Sequence, residues 1–333
     1  MNSMKKLLSA APLANALLVL SVGIIITSCG GEQKPEQKQA EKPKPYVRMS
    51  PDFNADSAFY FVEKQVSFGP RVTNSEAHKK CGDWLVSELK KYSDQVVEQK
   101  TVMKNFDGTP LNVRNIIAVI NPKAMRRILL CAHWDSRPYA DEDQFDRDKA
   151  ILGANDGGSG VGVLMEVARV LKNNPVNVGV DIVLFDAEDL GKSQFEDSYC
   201  LGSQYWSKNP HVPGYKAEFG ILLDMVGAAG ATFAWEEQSV EYAQDVLRLV
   251  WDKAHKLGYG NHFVYLQKGG IIDDHVYVNE NAKIPTIDII HYDTRTRSGF
   301  PEHWHTHRDN MNAIDRNTLK AVGQTLLEVL HTL

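Results

Sequence analysis

The chain has 333 residues, 43% of them hydrophobic and 24% charged, enough for one large domain or two small ones. A formal net charge of −5 without any long run of Lys and Arg argues against nucleic acid as a partner, because phosphate contacts need clustered cations. What remains is a small or peptidic substrate, or another protein.

At the N-terminus, Lys5 and Lys6 precede an apolar stretch from about Leu7 to Ile26 that runs into "ITSCG". This pattern resembles a bacterial lipoprotein signal over residues 1–28, with Cys29 lipidated and left as the new N-terminus. The alternative is an uncleaved anchor, since about twenty apolar residues can span a bilayer. Pro12 and Asn15 weaken a permanent helix, and Cys29 sits where processing would need it. Either reading exports the chain, and a lipoprotein would be membrane-anchored and face the periplasm. Residues 29–48 then form a lipidated N-terminus and flexible linker, because "GGEQKPEQKQAEKPKP" holds no core-forming residue. The folded domain is expected over residues 49–333.

Helices are expected near 53–66 and 75–91, the second opening with "TNSE", where Thr73 and Glu76 have capping-box spacing. "QVVEQKTVM" and "NVRNIIAVI" read as paired strands joined by the turn "KNFDGTP". The rhythm then alternates. "RILLCAH", "VDIVLFD", "FGILLDMV" and "IPTIDII" are strand-like, and helical patterns lie near 157–173, 199–208, 238–257 and 316–332. Near-continuous apolar strands between amphipathic helices predict a single-domain α/β/α sandwich with a mostly parallel, mixed central sheet. Of the cysteines beyond Cys29, Cys131 reads as a small buried hydrophobe, while Cys81 and Cys200 could pair in an oxidising compartment. No CxxC spacing supports a structural metal site, so any metal must use His and carboxylates.

In such sheets, sites form at the carboxyl ends of strands. His133 and Asp135 end one strand, Glu188 and Asp189 a second and Asp224 a third; Asp156 precedes a helix in "GANDGGSG", and His305 lies in "EHWHTHRDN". Neighbouring carboxylates are costly to bury unless a cation or protons offset them. A divalent cation is the economical explanation, and mixed imidazole and carboxylate donors suit catalytic zinc. "GANDGGSG" has neither G-x-G-x-x-G spacing nor the Lys of a phosphate loop, which argues against a nucleotide.

"CAHWDS", "GANDGGSGVGVLME", "LFDAED", "LLDMVGA" and "FPEHWHTHRDN", in that order, resemble the M28 zinc aminopeptidase family, which also contains the animal-type glutaminyl cyclases. The resemblance runs from about residue 53 to the end. It implies one zinc held by Asp156, Asp189 and His305, with Glu188 as acid and base beside it. The family more often carries Glu where this chain has Asp189, a ligand one methylene shorter. In the aminopeptidase branch His133 and Asp224 would hold a second zinc; in the cyclase branch His133 belongs to the site's hydrogen bonding, while Asp224 and Asp273 assist Glu188. Trp304 before His305, "DDHVYV" and "DSYCLGSQYW" resemble the cyclase branch, in which Trp304 lines the substrate pocket. Two departures stand out. The chain has "LGKSQFED" where animal cyclases have a tryptophan, leaving Phe195 or Tyr199 as candidate gate residues, and Asp288 stands where they have a histidine. His303 and His307 are expected beside the site or at the surface, and His78, His211, His255, His262 and His331 at the surface. The resemblance implies conversion of N-terminal Gln, and weakly Glu, of exported peptides and proteins to pyroglutamate; a zinc aminopeptidase or a non-catalytic peptide-binding lipoprotein are the alternatives.

Overall fold

The computed structural model describes residues 45–333. The signal segment, Cys29 and the linker up to residue 44 lie outside the described residues. Two helices come first, α1 (Ala55–Val66) and α2 (Glu76–Leu89), then the hairpin β1 (Gln95–Lys104) and β2 (Pro110–Ile120). Next come β3 (Arg127–His133), α3 (Gly158–Asn173), β4 (Gly179–Phe185), α4 (Leu201–Lys208), β5 (Phe219–Asp224), β6 (Phe233–Glu236) and α5 (Glu237–Lys256). The chain ends with β7 (Phe263–Lys268), α6 (Asp274–Tyr277) running into a π-helical turn at Val278–Ala282, β8 (Thr286–Ile290) and α7 (Arg316–His331).

Six strands form one sheet in the order β1-β2-β4-β3-β5-β8. β1 and β2 are antiparallel, as is β2 with β4, whereas β4, β3, β5 and β8 run parallel. The expected mixed, mostly parallel sandwich is therefore the fold. The alternation of β3 explains its layers: Ile128, Leu130 and Ala132 pack with α1, α3, α5 and α7, while Leu129 and Cys131 pack with Trp206 of α4 and Val278 and Ile284 on the other face. From β3 the chain moves to β4 on one side, then returns to β5 on the other. That reversal opens a crevice at the carboxyl ends of these strands.

Several expectations need correction. The cap of α2 is Ser75, which accepts from the His78 N–H; Thr73 instead donates to Asp186 at 2.9 Å, because the helix starts too late for it to cap. Cys81 and Cys200 do not pair: among the described residues the cysteines are free and buried. Burial in the α2 core pushes the Cys81 thiol up to about 12. His78 and His262 are buried rather than exposed, as is the His211 side chain against Trp206; His78 stacks on Trp134 and meets Asp186 at 2.9 Å. β6 and β7 form a separate short parallel pair that the apolar pattern of the sequence does not mark.

Candidate metal centre and active site

The acid pair is set by its backbone. β4 stops at Phe185, and buried Asp186 accepts from Arg114 N, Thr73 Oγ1 and His78 Nε2 while its own N–H donates to Asn115. Ala187 then takes a left-handed conformation at φ 57°, which turns the chain out of the strand. The next two N–H groups, of Glu188 and Asp189, donate to the two oxygens of Asp135 at 3.1 and 3.2 Å. On the other side, the carbonyls of Asp186, Ala187 and Glu188 accept the N–H groups of Gly202, Leu201 and Cys200 at the start of α4. Gly202 is required for that approach, since a Cβ there would lie 2.3 Å from Asp186 O. Left-handed non-glycine residues recur around the crevice at Cys200, Met225 and His305, as expected where surrounding contacts hold a site in place.

Asp156, Asp189 and His305 converge, each offering a donor atom within 4.8 Å of the others, and all three are buried. His305 Nε2 lies 3.4 Å from Asp189 Oδ1 and 3.7 Å from Asp156 Oδ2, while its Nδ1 meets Asp141 at 3.3 Å. Asp156 is positioned by Asp309, whose carboxylate accepts from the N–H groups of Asn155 and Asp156 at 2.7 and 3.0 Å. Burial and the nearby Asp156 push the Asp309 carboxyl up to about 7. Gly157, at φ 65°, allows the loop to pass close over His133, where a Cβ would sit 2.8 Å from the ring.

Arg137 supplies a brace that sequence reasoning missed. It is 2% exposed, donates to Asp189 Oδ1 at 2.8 Å and to the Asp189 carbonyl at 3.1 Å, and forms a two-pronged pair with Asp141 at 2.7 and 2.6 Å. One cation thus ties two loops that carry converging donors. Asp189 Oδ2 is buried with no hydrogen-bond partner among the described residues. An orphaned carboxylate oxygen beside a second carboxylate and an imidazole is the donor set a divalent cation completes, and it fits zinc. Burial alone would lower the His305 pKa, but Asp189 and Asp141 outweigh it and raise it to about 9. A bound cation would compete with that proton.

Next to the triad lies a second cluster. His133 Nε2 is 3.1 Å from Asp156 Oδ1 and 3.2 Å from Asp224 Oδ1, and its Nδ1 is 3.9 Å from Glu188 Oε2. Glu188 also sits with Cys200 and Asp273, their donor atoms within 4.8 Å of one another, and the Cys200 thiol faces Glu188 Oε1 at 3.4 Å. Beyond Asp273 come Asp274 and Asp288, both wholly buried, with carboxyl oxygens that have no partner among the described residues. Burial and mutual repulsion raise the carboxyl pKa of Glu188, Asp274 and Asp288 well above the usual range, and that of Asp224 to about 7. Crowding and burial thus favour the protonated form of these carboxyls.

The cavity over these groups measures about 260 Å³ and is walled by Tyr199, Ile271, Ile272, Phe300 and Trp304. The Trp304 ring stacks on His305 at 3.7 Å between centroids. Of the two candidate gate residues, Tyr199 lines the cavity; Phe195 stacks on Phe106 away from it and is 53% exposed. His303 bonds Asn155 at 3.2 Å beside the site, and His307 is exposed. Asp288 occupies a strand position just behind Asp273.

A mixed α/β sheet with a three-donor cluster and, beside it, a buried carboxyl of raised pKa at its carboxyl edge defines a zinc-exopeptidase-like enzyme. The model for Peptidase family M28 matches residues 115–330, and the chain belongs to that family. It is 52% identical to glutaminyl cyclase of Tannerella forsythia, with a TM-score of 0.83 over 85% of this chain and 100% of that one. The same values hold for a Zn-dependent exopeptidase from Parabacteroides distasonis. It is also 27% identical to glutaminyl-peptide cyclotransferase of Bos taurus over 275 residues, 72% of each chain.

Proposed function

We propose that this chain is a zinc-dependent glutaminyl-peptide cyclotransferase, closing N-terminal Gln, and weakly Glu, of exported peptides and proteins to pyroglutamate. The observation that carries this reading over peptide hydrolysis is the buried carboxyl cluster behind Glu188, which allows a proton to move within the pocket without water as a reactant. In the reaction, the substrate α-nitrogen bonds to the side-chain carbonyl carbon, the amide C–N bond breaks, and ammonia leaves. A zinc ion held by Asp156, Asp189 and His305 would polarise the side-chain carbonyl as a Lewis acid.

Glu188 takes a proton from the attacking α-amine and delivers it to the departing nitrogen. Its raised pKa suits both halves of that task. Asp273, against Glu188, and Asp224, joined to it through His133, share the proton load. The Trp304 face and the apolar wall of Ile271 and Phe300 position the Gln side chain and exclude bulk water. Likeness to the bacterial and bovine cyclases supports the same reading.

The test is incubation with a Gln-initiated peptide and then mass measurement: loss of one ammonia is expected, and release of a free amino acid refutes the assignment. The aminopeptidase reading has one observation in its favour, the grouping of His133, Asp156 and Asp224 within 4.8 Å, which could hold a second ion. Zinc content per chain separates the two, one ion being expected for the cyclase. In the cell we place the enzyme as an exported lipoprotein carried on Cys29 and facing the periplasm; the sequence at residues 1–29 supports this, and labelling with a lipid precursor tests it.

A further inference from the structure

The compact unit begins at Tyr46. Tyr46 donates to Glu328 at 2.5 Å, and the same carboxylate accepts from the N–H groups of Met49 and Ser50 and from Ser50 Oγ. Gln324 adds bonds to Phe53 N, Ser50 Oγ and Pro51 O. The chain is therefore fastened to the domain along the second half of α7. That helix starts beside the carboxyl end of β5, where Asp315 N bonds Gly227 O at 2.8 Å. Glu328 lies twelve residues beyond Arg316, about 18 Å further along at 1.5 Å per residue. The end of α7 reaches the opposite edge of the sheet: Leu333 O accepts from Arg126, the residue before β3 begins. The chain thus enters the domain at the edge of the sheet away from the candidate active site.

The surface at that entry has a distinct chemistry. Val47 is 74% exposed, Met49 65% and Tyr46 38%. Lys253 and Lys256, in the last turn of α5, stand 5.7 and 5.9 Å from the Tyr46 ring centroid, and Arg48 is adjacent, paired to exposed Asp52 at 2.8 Å. Exposed apolar side chains and an aromatic ring among three cations, against exposed Asp52 and the buried Glu328 carboxylate, form a net positive surface that suits the boundary of a negatively charged lipid layer. We propose that the patch of Tyr46, Val47, Met49, Arg48, Lys253 and Lys256 docks on an anionic lipid surface, with the catalytic mouth turned away from it. Charge complementarity argues for this occupant, as does the patch's position where the chain continues toward Cys29, and the inference rests on reading Cys29 as the lipid-carrying residue. The mouth then faces peptides arriving from the aqueous side.

The test uses residues 46–333, which form one compact unit. Unlipidated protein is sedimented with vesicles of phosphatidylcholine alone or mixed equally with phosphatidylglycerol. Partitioning at least tenfold stronger onto the anionic vesicles is expected. The double substitution Lys253→Ala with Lys256→Ala should abolish that difference, and Val47→Ser with Met49→Ser should weaken binding while leaving turnover of a soluble Gln peptide unchanged. Equal partitioning onto both vesicles, or no effect of the lysine substitutions, overturns the proposal. For orientation, a fluorophore on Val47→Cys should be quenched by spin-labelled lipid and one on Phe145→Cys should not, the loop of Phe145 being the one that reaches His305 and His307; the reverse pattern refutes it. The mass of full-length chain extracted from membranes reports lipidation independently, so failure at Cys29 and failure of the docking surface are told apart.

Discussion

Replacing Asp135 with Asn tests the backbone clamp beneath the acid pair. Asp135 is wholly buried and accepts one N–H from Glu188 and one from Asp189. The amide keeps the shape but has one acceptor oxygen, so one buried N–H must face an NH2 group. An unsatisfied buried donor costs roughly 1–3 kcal/mol, and losing the carboxylate's charge from the surviving bond adds to this, for a total of roughly 2–4 kcal/mol. That is a large share of a typical stability of about 5–15 kcal/mol. Easing it requires the segment of Glu188 and Asp189 to shift, so the same substitution should lower turnover by about tenfold to a hundredfold, displacement of a positioned group being costly. Urea unfolding gives the first quantity, and kcat on a Gln peptide the second. A midpoint and a kcat both matching the parent would show that the clamp does not position the pair.

Glu188→Gln should lower kcat by about 10²–10⁴ while zinc content stays at the parental level, since the proposed proton carrier is not a proposed ligand; equal loss of zinc and turnover would count against that division of roles. Arg137→Met leaves Asp189 and Asp141 without their buried cation and should destabilise the fold by about 3–5 kcal/mol in denaturant unfolding. Glu328 is buried, yet its bonds from Tyr46, Ser50 and Met49 outweigh burial and lower its pKa to about 2 from 4.5. A depressed carboxylate stabilises the fold fully above its unfolded pKa. The stability advantage of the parent over Glu328→Gln should therefore hold above about pH 5 and shrink as pH falls from 4.5 towards 2, by up to about 3 kcal/mol. An advantage that does not change over that interval would refute the assignment.

Where side chains act through local pattern, the sequence was readable. β3, β4, β5 and β8 are short apolar runs, and the acids at their ends stood out because burying them without compensation is costly. The parts that were not readable depend on long-range pairing. Arg137 looks like a loop charge until Asp189, 52 residues later, returns to meet it, and His78 looks exposed until Asp186 is folded against it. A signal was available in "HWDSR": a cation two residues beyond a strand-end acid is unusual among so many carboxylates. β6 and β7 escaped notice for a different reason. β6 has four residues and β7 is half exposed, so neither carries the apolar run that marks β3 or β4. Ser75 and Thr73 show how two hydroxyls near one helix start exchange roles according to which one faces a distant acid.

The bonds from the start of α4 to the carbonyls of Asp186, Ala187 and Glu188 have a consequence for how this site diversifies. They close a loop whose two ends are fixed to each other: Leu190 is buried at one end and Tyr199 packs on Arg137 at the other, so it is the exposed residues between them, around Ser193–Phe195, that can change without moving either acid. Phe195, within it, faces Phe106 rather than the cavity. Swapping this segment between relatives should therefore exchange preferences for the second and third residues of the peptide while the bond-making step is inherited unchanged.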